Sequence, residues 1–137
     1  MAWAINYEKL AEVTKTYDLT KPIYMLNMWK YRETAQYLPE HTSFAGEPCT
    51  GQEAALRYRT TLAPLLPEGA SIFMRSNALT ELVAPKDESW DDVFVIRYET
   101  LEGFKKMVES EEYIGKALPH RLAAFEDCRL IMLDKLD

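Results

Sequence analysis

Residues 90–130, WDDVFVIRYETLEGFKKMVESEEYIGKALPHRLAAFEDCRL, decide the fold. From Trp90 to Glu99 the chain alternates, with Val93, Val95 and Arg97 on one side and Phe94, Ile96 and Tyr98 on the other. That is the period of a strand. Thr100 then offers a hydroxyl cap to a helix whose apolar stripe is Leu101, Phe104, Met107 and Val108. Ser110 can cap a second short helix, with Glu111 and Glu112 placed to favour its positive end. Pro119 predicts that this helix stops at Leu118. Pro119-His120-Arg121 would then be a polar elbow before a last strand over 128–135.

Upstream, residues 6–17 have helical spacing, with Tyr7, Leu10, Ala11, Thr14 and Tyr17 on one side and Asn6 as a cap. Pro22 ends this N-terminal extension, residues 1–21. Residues 23–32, IYMLNMWKYR, are extended in character, and both faces are apolar enough to be covered. Asn27 is the polar exception and needs partners if buried. Residues 33–49 hold three turn formers, Pro39, Gly46 and Pro48, and read as a long loop of the kind that forms lids. Thr50-Gly51-Gln52-Glu53 is a capping box. The helix it opens buries Ala54, Ala55, Tyr58 and Leu62. Residues 70–83 read as one long strand with a bulge near Ser76-Asn77.

The resulting order is a helix followed by β-α-β-β-α-β, an α+β fold of ferredoxin-like pattern in a single domain over 22–137. Its sheet is too apolar on its second face to be left in water. A homodimer packing sheet on sheet satisfies that face, with Met25 expected in the interface.

A chain of 137 residues with 47% hydrophobic and 28% charged residues buries a real core. A net charge of −6 with dispersed Lys and Arg excludes nucleic acid as the expected partner. No apolar run reaches membrane-span length and no secretory signal opens the chain, so a cytoplasmic protein is expected. Cys49 and Cys128 lack metal-site spacing. They read as free thiols, with one disulfide as the alternative. No metal and no cofactor are expected, because phosphate-loop, dinucleotide, nucleophile-elbow and HExxH patterns are all missing from the sequence.

The words PIYMLNMWKYR, CTGQEAALRY, WDDVFVIRYETLEGFKKMVESEEY and HRLAAFEDCRL together resemble the dimeric α/β-barrel superfamily. Within it they are most similar to a group of small bacterial and fungal members known only as a domain of unknown function. That group usually has Pro-Ser after its third strand, where this chain has Glu99-Thr100, which keeps the hydroxyl cap. The resemblance implies a ferredoxin-like subunit, a barrel formed across a dimer, and a pocket between sheet and helices. Distant relatives include cofactor-independent monooxygenases, isomerases, lyases and haem-binding enzymes, so no reaction transfers with the fold.

Two functions follow as expectations. One is a cofactor-independent enzyme doing acid-base chemistry on a small hydrophobic or aromatic molecule, of lyase, isomerase, cyclase or monooxygenase type. The other is a non-catalytic ligand-binding or structural homodimer. On the first, His120 is the general acid or base. Arg121 or Arg97 steadies an anion. Asn27, Trp29 and Tyr58 line the pocket. The plainer roles are a backbone-bonded His120, Arg121 paired with Glu126 or Asp127, Arg97 reaching solvent, and Trp29 and Tyr58 simply packing. Convergence of His120, Arg121 and either Asn27 or Arg97 on one cavity separates the two.

Overall fold

A computed structural model describes residues 3–137. Four strands, β1 (Ile23–Tyr31), β2 (Ser71–Asn77), β3 (Asp92–Tyr98) and β4 (Phe125–Leu133), form one antiparallel sheet in the order β2-β3-β1-β4. The helices are α1 (Tyr7–Val13), α2 (Thr42–Ala45), α3 (Gly51–Leu62), α4 (Leu101–Glu109) and α5 (Leu118–Ala124). The expected βαββαβ order with an added N-terminal helix is present. Among the described residues no helix is long and apolar enough to cross a membrane.

The caps form as their side chains dictate. Asn6 accepts from the Lys9 amide at 3.0 Å, and Thr100 accepts from the Gly103 amide at 2.9 Å. At α3 both halves of the capping box close, Glu53 N–H to Thr50 Oγ1 and Thr50 N–H to the Glu53 carboxylate, each 3.0 Å. Gly51 is needed where α3 starts. A Cβ there would lie 2.3 Å from the Arg32 carbonyl oxygen and 2.5 Å from that of Ala124. The absent side chain lets α3 dock against the ends of β1 and α5.

The core lies between one face of the sheet and the helices. Ile23, Met25, Asn27 and Trp29 of β1 alternate into it beside Phe94 and Tyr98 of β3. Trp29 sits in an aromatic cluster, with ring centroids 4.6 Å from Phe94 and 4.7 Å from Phe125. Such pairs add roughly 0.5–1.5 kcal/mol each beyond area burial. Met25 is 3% exposed on this helix-covered face and not on the open one, which corrects its expected place in a sheet-to-sheet interface. The parity of β1 decides this: Ile23 and Trp29 are the positions with helices to pack against, and Met25 shares their side.

Among the described residues no helix covers the opposite face. It carries Tyr24, Leu26 and Met28 of β1, paired with Arg97, Val95 and Val93 of β3 and with Leu133, Ile131 and Arg129 of β4. Phe73 of β2 extends this face by an edge-to-face contact with Tyr24, centroids 5.1 Å apart.

Three other expectations are corrected. β2 ends at Asn77, not Val83, and its register slips between Ile72 and Met74, ahead of Ser76. Residues 78–89 form an irregular loop with Leu79, Leu82 and Val83 almost fully exposed. The last strand begins at Phe125. Pro119 does not end a helix but lies in the first turn of α5, so His120 and Arg121 are helical, not an elbow. Pro119 would clash with the carbonyl of Gly115 in a regular α-helix. A π-helical turn over Tyr113–Ala117 widens the chain at that point and admits the ring.

Candidate functional site

α5 places His120 and Arg121 on different sides of itself. Arg121 faces inward and is 3% exposed. Its Nε–H donates to the Trp3 carbonyl at 2.8 Å, and Nη2 lies 3.6 Å from the Cys128 sulfur. The guanidinium stands 5.5 Å from the ring centroids of both Tyr58 and Phe125. Among the described residues no carboxylate pairs with it. Glu126 is taken by Lys30, and Asp127 by Arg129. Burial works against its charge, but the neighbouring Tyr58, Tyr113 and Cys128 outweigh burial and hold it protonated above the ordinary guanidinium range.

Arg121 lines an interior cavity of about 250 Å³ between sheet and helices. Met25, Asn27, Trp29, Tyr58, Phe94, Phe104 and Tyr113 share its wall, and the exposed Ile72 and Arg75 mark where it meets solvent. Most of the wall is apolar. Its polar groups are few. The Tyr58 and Tyr113 hydroxyls are 2.9 Å apart. Burial, then Tyr58, pushes the Tyr113 phenol well above its ordinary value, so it stays neutral. Asn27 donates to the Met25 carbonyl at 3.2 Å. The buried Trp29 indole N–H has no hydrogen-bond partner among the described residues. Arg59, salt-bridged to Asp92 at 3.3 Å, lies 4.6 Å over the Trp29 ring.

The N-terminal segment closes one side. Ile5 and Arg121 line both this cavity and a neighbouring trough of about 540 Å³ between the segment and β4. The Tyr7 hydroxyl ties the segment down by donating to the Val108 carbonyl at 2.5 Å.

His120 opens elsewhere. It lines an outer cleft with Phe44, Thr61, Glu111, Glu112, Gly115 and Lys116. Its Nδ1 is 2.6 Å from the Tyr37 hydroxyl, not on a backbone carbonyl. Arg57 donates to Tyr37 Oη at 3.2 Å and to the Ala45 carbonyl at 2.9 Å. Burial, then the Arg57 charge and His41, lowers the His120 pKa below its ordinary value and favours the neutral ring.

Of the sequence-derived site residues, the structure therefore brings Arg121, Asn27, Trp29 and Tyr58 to one cavity. His120 lines a second, and Arg97 lies on the open sheet face, donating to the Tyr24 hydroxyl at 3.3 Å. Tyr37, Arg57 and Tyr113 are site residues that the sequence reading does not include. Tyr113 could have been found by continuing the apolar stripe past Ser110. Tyr37 lies in an aperiodic loop, where spacing gives no signal.

These features define an α+β protein with a mostly apolar interior cavity bordered by a buried guanidinium that has no carboxylate partner among the described residues. The chain belongs to the family of RPA0582, a protein of unknown function from Rhodopseudomonas palustris. The crystal structure of that protein superposes with a TM-score of 0.84 at 31% identity, over 99% of this chain and 98% of that one. The structure of methylated RPA0582 matches with a TM-score of 0.83 at 33% identity, over 98% and 95%. No protein-family profile and no curated protein matches the chain.

Proposed function

We propose that this protein is a homodimer whose interior cavity binds a flat, mainly apolar small molecule ending in a carboxylate, phenolate or enolate oxygen. The observation that carries this reading is Arg121. A guanidinium buried without a carboxylate is costly unless something anionic completes it. Here it borders an apolar cavity, the usual composition of a small-ligand site. Its fork geometry suits a planar oxyanion. The homodimer reading rests on the open sheet face, where the half-buried Tyr24, Leu26, Met28 and Val93 lie beside the exposed Phe73, Ile131 and Leu133. Two such faces packed together would give the dimeric α/β barrel of ferredoxin-like subunits.

A second, catalytic reading is supported by the Tyr58–Tyr113 hydroxyl pair beside Arg121. In a cofactor-independent lyase, the electron pair of the broken carbon–carbon bond would be held as an enolate by Arg121, and a neutral tyrosine would protonate its carbon and become a tyrosinate beside the guanidinium. The general acid on this reading is a tyrosine, because His120 lines the other cavity.

The test is thermal unfolding with benzoate, salicylate and 1-naphthoate against their neutral amides. Carboxylates are expected to raise the melting temperature in proportion to the logarithm of concentration. Arg121→Met is expected to abolish the rise. Equal effects of acids and amides, or none from either, would sink the anion-binding reading.

A further inference from the structure

The outer cleft at His120 carries an inference independent of the interior cavity. Arg57 donates to the Tyr37 oxygen, so the Tyr37 hydroxyl proton is available for His120 Nδ1 at 2.6 Å. Assigning it there makes Nδ1 an acceptor and places the neutral ring's own proton on Nε2. Among the described residues Nε2 has no hydrogen-bond partner. Nor is it sealed from solvent, and the ring lines the cleft. His120 is only 8% exposed, yet it offers a fixed N–H to an open volume of about 600 Å³. Tyr37 and Phe44 stand edge-on to the ring, centroids 5.5 and 5.8 Å away, and hold it in place.

Around that donor the cleft has both signs of charge. Glu111, Glu112 and Lys116 all line it, and none of them makes an ion pair among the described residues. Thr61 adds a hydroxyl from α3. The wall here is the π-helical turn, a geometry enriched at functional sites. Gly115 leaves the floor bare, with nothing within 4 Å of where its Cβ would stand.

The geometry points to a second binding site in this cleft, for a small zwitterion of the free amino-acid class. Its carboxylate meets His120 Nε2–H, Lys116 and Thr61. Its ammonium meets Glu111 and Glu112, and its side chain packs against Phe44. A simple anion would face the two glutamates, and a simple amine would leave the His120 donor unmatched.

The experiment is ¹⁵N long-range NMR of the histidine rings in the full chain, titrated with each of the twenty free amino acids. At least one is expected to shift the His120 Nε2 resonance at millimolar concentration. Its N-acetyl and carboxamide derivatives, each lacking one charge, are expected to bind at least about tenfold more weakly. Gly115→Phe adds a ring to the cleft wall at a position where a Cβ meets nothing within 4 Å, so it is expected to abolish the shift without lowering the melting temperature. The proposal is overturned if no amino acid moves His120, if the single-charge derivatives bind as well, or if Gly115→Phe binds normally. None of these outcomes bears on Arg121 and its cavity.

Discussion

His120 and Arg121 are consecutive on α5 and serve different cavities. The imidazole looks out toward Tyr37 and Phe44, and the guanidinium looks in toward Tyr58 and Phe125. A helix turns ~100° per residue, so neighbours cannot share a narrow site on one face. The helical setting separates what the sequence joins.

Arg121→Met should therefore separate stability from binding. Removing an unpaired buried charge and keeping its volume is expected to be neutral or to stabilise by up to ~4 kcal/mol. Loss of the bond to the Trp3 carbonyl offsets about 1 kcal/mol of this. Chemical denaturation decides the matter: a loss of more than about 2 kcal/mol would mean that Arg121 is a structural strut, against the ligand-anchor role.

Two neighbouring charges on β1 should fail in different ways. Met25→Asp buries a carboxylate against the helices and is expected to destabilise the subunit by at least about 3 kcal/mol. Leu26→Asp lies on the open face and is expected to leave the subunit folded but monomeric. Sedimentation with circular dichroism distinguishes them. A Leu26→Asp protein that sediments like the parent would count against the proposed sheet-to-sheet dimer.

His120 should make stability depend on pH in one direction. Its folded pKa lies below the unfolded value of 6.5, so between the two the unfolded chain binds more protons. This contribution is fully present above the unfolded pKa. It is lost as pH falls from 6.5 toward the folded pKa, and is constant below that. Arg57→Met removes a positive neighbour and is expected to move the His120 titration upward in NMR. A downward or absent shift would contradict the contact assigned to Arg57.

Glycine positions offer a contrast in sign. Gly51→Ala forces a Cβ onto the Arg32 and Ala124 carbonyls and is expected to cost about 3 kcal/mol or more. Gly115→Ala meets nothing and is expected to be neutral or to gain up to about 1 kcal/mol. Equal melting temperatures for the two variants would show that α3 docks less tightly than described.

The strands, the capped helices and their order were legible because each is written locally. Thr50 and Glu53 close their box, Thr100 caps α4, and β1 alternates as its side chains require. Where the sequence misled, two local signals conflicted or the deciding partner was distant. Pro119 reads as a stop, and only the π-helical turn before it makes it a start. Met25 and Leu26 are both apolar, so the face that receives the helices is known only once α3 and α5 are in place. The partner of His120 lies 83 positions away in an aperiodic loop. Arg121 reads from the sequence either as an anion anchor or as the partner of Glu126 or Asp127, and only the folded chain gives those two acids to Lys30 and Arg129.

Trp29 gives the molecule its own optical gauge. The indole is 2% exposed, borders the interior cavity and has the Arg59 guanidinium 4.6 Å over its ring. A molecule entering the cavity must change the dielectric surroundings of that ring, its unpaired N–H, or its contact with Arg59. Occupancy should therefore be readable as a change in emission from the unlabelled protein, without any attached dye.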